Sequence, residues 1–211
     1  MRRGYRGPVA ARTQEQYQVR FAWGSAGASR IAHDTHLVVW VDVLPDAHDA
    51  ARGADPVSRG RAAAALLPDG PEVVLGHLGN ATAVAERVTG LQAARGDRCV
   101  VAVVAAGRAT DGAGAVADAA GEPVDTAEVP EQAVEDLLAA GAVVDALVSV
   151  GIDHTSPEAA VACAAWTGLR RAAKHLVSAA EGAADLDRGT VQAALAAGPD
   201  LVVLRESSAP A

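Results

Sequence analysis

Apolar positions recur along this chain in two rhythms. Tyr17, Val19, Phe21 and Trp23 alternate with Gln18, Arg20 and Ala22, which predicts a strand with one buried face, ended by Gly24 and Gly27. Leu37–Leu44 (LVVWVDVL) is a near-continuous apolar run with one charge, Asp42, and reads as a central strand covered on both faces. Residues 73–75, 99–105 (CVVAVVA) and 201–204 (LVVL) are three further strand candidates. Between them the period changes to that of a helix. Residues 81–91 form one candidate. Residues 131–147 form another, entered after Pro130 and with Gly141 as a candidate break. The clearest starts at Thr155-Ser-Pro-Glu158: Ser156 caps, Pro157 suits the first helical position, and Glu158 favours the positive helix end. Val161, Ala165, Leu169, Ala172 and Leu176 then recur at spacings of four, four, three and four, which is one helical face. A last helix covers 188–197, closed by Gly198-Pro199.

Strands alternating with helices predict an α/β fold, layered around a largely parallel sheet. No repeat or linker divides the chain, so residues 15–211 read as one domain behind a frayed tail, 1–14. The stretch 107–125, rich in Gly, Ala and Asp, reads as a loop beyond the 99–105 strand, where open α/β sheets build their sites.

Composition refines this picture. Half of the 211 residues are apolar but only 3% are aromatic, so the core must be built of Val, Leu and Ala. The net charge of −8 argues against non-specific nucleic-acid binding, though not against a phosphorylated ligand held by one local cation. Cys99 lies in an apolar run and Cys163 in an alanine-rich stretch, so both read as buried reduced thiols, which fits the cytoplasm. No run is long enough for a membrane span, and the N-terminus lacks the apolar core of a secretory signal.

Asp42 carries the strongest chemical signal. A carboxylate near the end of a buried strand must be paired, hydrogen-bonded or bound to a metal. Glu135 and Asp136 are adjacent acids near a helix start; with Asp42 they could supply hard oxygen ligands of the kind magnesium takes, although acids are ordinary at that end of a helix. Asn80 reads first as a helix cap and second as a substrate contact. Arg108, just after a core strand, could hold a phosphate or sulfonate oxygen. His33, Asp34, His36, Asp46, His48 and Asp49 surround the Asp42 strand without matching a metal motif. No phosphate-binding loop, dinucleotide fingerprint or nucleophile elbow is present; the single lysine, Lys174, lies elsewhere.

Taken in order, Val19-Arg-Phe-Ala-Trp-Gly24, Asp42-Val-Leu44, Asn80-Ala-Thr-Ala-Val-Ala85, Ala105-Ala-Gly107, Ala133-Val-Glu-Asp136-Leu-Leu-Ala-Ala-Gly141 and Ser156-Pro-Glu-Ala159 resemble the 2-phosphosulfolactate phosphatase (ComB) family, especially its actinobacterial branch. The resemblance runs from about Gln16 to Asp200. It implies a three-layer α/β/α domain and magnesium-dependent hydrolysis of a phosphate ester on a small sulfonated or carboxylated acid. It also implies that Asp42, Glu135 and Asp136 match the family's acids and Asn80 its asparagine. The chain departs from the family at several points. Pro45-Asp-Ala-His48 replaces an Arg- and hydroxyl-bearing turn, the segment 45–79 is shorter, and a Thr/Ser-x-Asn-Gly motif is missing. Arg108 stands where Glu is common, and Glu181-Gly182 replaces Ser-Gly.

Three functions follow as expectations. The first is a magnesium-dependent phosphatase with Asp42, Glu135 and Asp136 on the metal and Asn80 and Arg108 toward substrate. The second is a non-catalytic relative that binds a small anion or a partner protein. The third is a hydrolase using zinc or manganese at the His33, His36 and His48 region. A small sheet domain with some apolar surface is also compatible with a homodimer.

Overall fold

Four strands rich in Val and Ala run parallel, and a fifth joins them antiparallel. In the computed structural model, which describes residues 13–108, 116–117, 123–124 and 130–208, these are β1 (Val19–Trp23), β2 (Leu37–Val41), β3 (Glu72–Gly76), β4 (Val101–Ala105) and β7 (Val202–Arg205). Two short strands, β5 (Val116–Ala117) and β6 (Pro123–Val124), pair only with each other. The main sheet has the order β1-β4-β2-β3-β7, with β7 antiparallel to β3.

The helices are α1 (Gly24–Ile31), α2 (Ala47–Ala51), α3 (Pro56–Ala64), α4 (Ala81–Arg95), α5 (Val134–Ser149), α6 (Pro157–Leu169), α7 (Ala173–Ser178) and α8 (Arg188–Leu195), with a 3-10 turn at Glu181–Ala183. Successive strand side chains point to opposite faces, and the core divides accordingly. Leu37, Val39 and Val41 join Val74, Val101 and Val103 beneath α4, α5 and α6. Val38 and Trp40 join Val73, Leu75 and Val104 beneath α1 and α3. The result is a three-layer α/β/α domain with a mixed sheet.

Several expectations are corrected here. Gly24 and Gly27 do not simply end β1. They begin α1, which lies over the second face of that strand and covers Arg20 and Ala22; Gln18 is buried as well, its amide donating to the Gln92 side chain of α4 and to the Cys99 carbonyl. Arg20 tolerates burial because its guanidinium donates to the carbonyls of Ile31 (2.8 Å) and His33 (2.6 Å), which close α1. Gly141 does not break α5. A Cβ there would press on the Ala162 carbonyl and the Trp166 side chain, so it is the point of closest approach of α5 to α6. The helix predicted from residue 155 to 176 is two, α6 and α7, separated at 170–172; in α6, Ala159 and Ala162 pack inward, whereas Val161 and Leu169 of the periodic face are exposed. At the N-terminus, the Gln14 side chain donates to the Phe21 carbonyl (2.9 Å) and accepts from the Phe21 N–H (3.0 Å), extending order to the start of β1. Residues 1–12 lie outside the described residues, as does most of 107–125.

Candidate functional site

The carboxyl ends of β2 and β4 are neighbours, yet the chain leaves them toward opposite faces: from β2 to α2 and α3, from β4 to α5. Such a divergence opens a crevice at the strand ends. Asp136, in the first turn of α5, fills it. One carboxylate oxygen accepts the Val43 N–H at 2.9 Å and the other accepts the Gly107 N–H at 2.9 Å. A single buried side chain thus ties the β2 exit to the β4 exit. Burial pushes its pKa well above the ordinary carboxylate range, the charges of Asp42 and Glu135 push the same way, and the two backbone donors oppose them.

Asp42 follows β2 and points toward the α1 and α3 face, as Trp40 does. There it meets Arg59 of α3, whose Nε and Nη2 each lie 3.2 Å from one carboxylate oxygen. Burial raises the Asp42 pKa, and Arg59 works against that rise. Glu135 is buried beside them. Its pKa is raised by burial and by Asp42 and lowered by Arg108. Its Oε1 lies so close to Gly182 that a Cβ at that position would collide with it.

Arg108 leaves β4 and makes a two-residue antiparallel bridge to Glu131. Its Nη2 binds Glu131 (2.8 Å) and Glu181 (2.9 Å), and these acids raise its pKa. Its Nε is buried and has no hydrogen-bond partner among the described residues. Asn80 is fully buried. Its Oδ1 accepts the His77 N–H (2.9 Å), and its Nδ2 donates to the carbonyls of Leu75 (2.9 Å) and Asp200 (3.4 Å). It therefore neither caps α4 with its side chain nor offers a spare atom to a substrate.

The three sequence-selected acids thus occupy one corner of the molecule, but their arrangement does not fit the magnesium site that the resemblance implies. Both oxygens of Asp42 face a guanidinium, and both oxygens of Asp136 face backbone N–H groups. Among the described residues, no three His, Cys, Asp or Glu side chains converge as metal ligands. The histidine region is not one site either. His36 precedes β2 and accepts the Val100 N–H at its Nδ1 (2.8 Å), while His48 lies in α2 beyond the other end of that strand. The five residues of β2 alone separate the two ends by about 17 Å. Asp46 caps α2, and Asp49 pairs with Arg52 at 2.6 Å.

Two residues of this corner escaped the sequence reading. Arg59 sits in a segment with no strand pattern, and only the fold of α3 brings it to Asp42. His77 follows Gly76, which pairs with Val41, so His77 and Asp42 leave the sheet at adjacent points. Burial lowers the His77 pKa, and its Nδ1 accepts the Gly79 N–H at 3.2 Å. The Gly76-His77-Leu78-Gly79 sequence at a strand end is the available signal.

Comparison with protein-family models and with curated protein sequences returned no match. Among the described residues, no helix is long and apolar enough to cross a membrane.

Proposed function

We propose that this protein is a non-hydrolysing relative of the 2-phosphosulfolactate phosphatases, whose acidic corner braces the fold while the molecule acts by binding a small acid or a partner protein in the cytoplasm. The bidentate pair of Arg59 with Asp42 carries this reading, because it occupies the carboxylate with the strongest claim to a metal. The departures from the family pattern support it, for two of them are partners in space. Arg108, where the family commonly has Glu, binds Glu181, where the family has Ser. The two changes thus offset each other in charge, with Glu131 as a second partner of the same guanidinium. The two guanidinium groups beside the acids, Arg59 and Arg108, are thereby committed to carboxylates rather than presented to an anion.

The second reading is a magnesium-dependent phosphatase acting on a small phosphorylated or sulfonated acid. One observation favours it: Asp42, Glu135 and Asp136 stand close enough for Asp42's charge to raise the pKa of both others. Such clusters concentrate at functional sites as well as in structural networks.

Phosphate release separates the two. Purified protein with magnesium, offered 2-phosphosulfolactate, phospholactate and a wider set of phosphate esters, is expected to give no turnover above the level of Asp42→Asn. Turnover that disappears in Asp42→Asn would overturn the non-hydrolytic reading and establish the phosphatase. The binding half is checked by calorimetric titration with sulfolactate.

A further inference from the structure

Helix α6 is apolar almost all round: from Ala159 to Leu169 its one hydroxyl is that of Thr167, and no charge interrupts it. A helix of that kind is normally covered on every side. Here the side bearing Ala159 and Ala162 is covered, by α5 at the approach of Gly141 and by β1. An adjoining side, which starts opposite the packed face at Val161 and turns toward it at Leu169, carries Val161, 66% exposed, and Leu169, 42% exposed, with half-buried Ala165 midway and the small exposed residues Ala164 and Gly168 beside it. The same α5–α6 hairpin also exposes Val148 and Val150 at its turn. The sequence periodicity is therefore genuine, but the fold leaves the Val161 and Leu169 positions of the stripe it selects exposed.

We propose that this stripe is the interface of a two-fold homodimer in which α6 packs antiparallel on α6 of a second copy. The pattern is self-complementary under that operation. Val161 and Leu169 lie four residues on either side of Ala165. An axis passing beside Ala165 sets Val161 of each copy against Leu169 of the other, about 6 Å from the centre along the helix. The charges obey the same symmetry. Glu158 is exposed at the start of α6, and Arg170 and Arg171 are exposed at its end. The operation that joins Val161 to Leu169 brings Glu158 to the turn holding Arg171 of the second copy, twice. The small side chains at Ala164, Ala165 and Gly168 permit the helices to approach at the short end of the 8–10 Å range. The proposal is independent of whether the acidic corner hydrolyses anything, since it uses none of its residues.

Sedimentation of the full chain is the test. The wild type is expected at twice the 21.2 kDa chain mass. Val161→Glu and Leu169→Glu are each expected to weaken self-association by about 100-fold or more with unchanged circular dichroism, whereas Leu66→Glu, at a still more exposed apolar side chain on the other side of the sheet, leaves the mass unchanged. Glu158→Arg weakens the dimer, and adding Arg171→Glu restores it. Ala165→Cys, next to the axis, forms an intermolecular disulfide on oxidation beyond the baseline set by the native Cys99 and Cys163. A wild type of monomeric mass, including one whose stripe captures a different protein, overturns the proposal. So does a dimer that survives both glutamate substitutions, or an Ala165→Cys variant that does not cross-link.

Discussion

Arg59 and Asp42 show how much of this site rests on single side chains. Their side chains are 6% and 18% exposed, so removing one partner strands a charge that water barely reaches. Arg59→Met is expected to cost about 3 kcal/mol in urea unfolding, as for a broken buried ion pair, and the double variant with Asp42→Leu to recover most of the loss. Failure of the double variant to recover would show that Arg59 has a task beyond neutralising Asp42. Glu135 makes a prediction about pH. Its folded-state pKa is raised above the ordinary 4.5, so between those two values the folded protein holds more protons than the unfolded chain. Glu135 therefore subtracts stability as pH rises through that window. Glu135→Gln, which lacks the charge, should gain stability relative to wild type as pH climbs from about 4.5 toward neutrality. A difference that shrinks with rising pH would show that the charged form is favoured by folding.

At the scale of elements, the meeting of α5 and α6 is set by what is missing from Gly141. Alanine normally strengthens a helix by about 1 kcal/mol over glycine. Here its methyl group has no room against the Ala162 carbonyl and Trp166. Gly141→Ala is expected to destabilise the protein by about 1–3 kcal/mol in thermal or urea unfolding, the usual range for overpacking. A more stable variant would mean that the two helices separate freely. Asp136 matters at this scale too. From the first turn of α5 it fixes where β2 and β4 end, so a side chain selected from the sequence as a metal ligand serves to join elements. The sequence showed an acid that must be satisfied; which groups satisfy it depended on two strand exits brought together by residues 43 and 107.

At the scale of the whole molecule, β7 completes the sheet. It pairs with β3, Leu204 seats against Gly60 of α3, and Arg205 donates to the carbonyls of Ala64 (2.7 Å), Leu67 (3.1 Å) and Pro68 (2.5 Å) that finish that helix. Ending the chain after Asp200 is expected to bare the β3 edge and yield aggregated protein in size exclusion, because an apolar edge strand templates further pairing. A soluble, cooperatively unfolding truncation would place the stability elsewhere.

The sequence by itself determined the α/β class, the five strands of the main sheet and the acids worth attention. Apolar period and the cost of burying charge are local properties that any fold must honour. Only the tertiary structure decided that α1 and α3 bury the second face, that Arg59 neutralises Asp42, that Arg108 finds Glu181, and that the α6 stripe points outward. Each is a pairing between residues distant in the chain, and periodicity says which side of a helix is apolar without saying what will cover it.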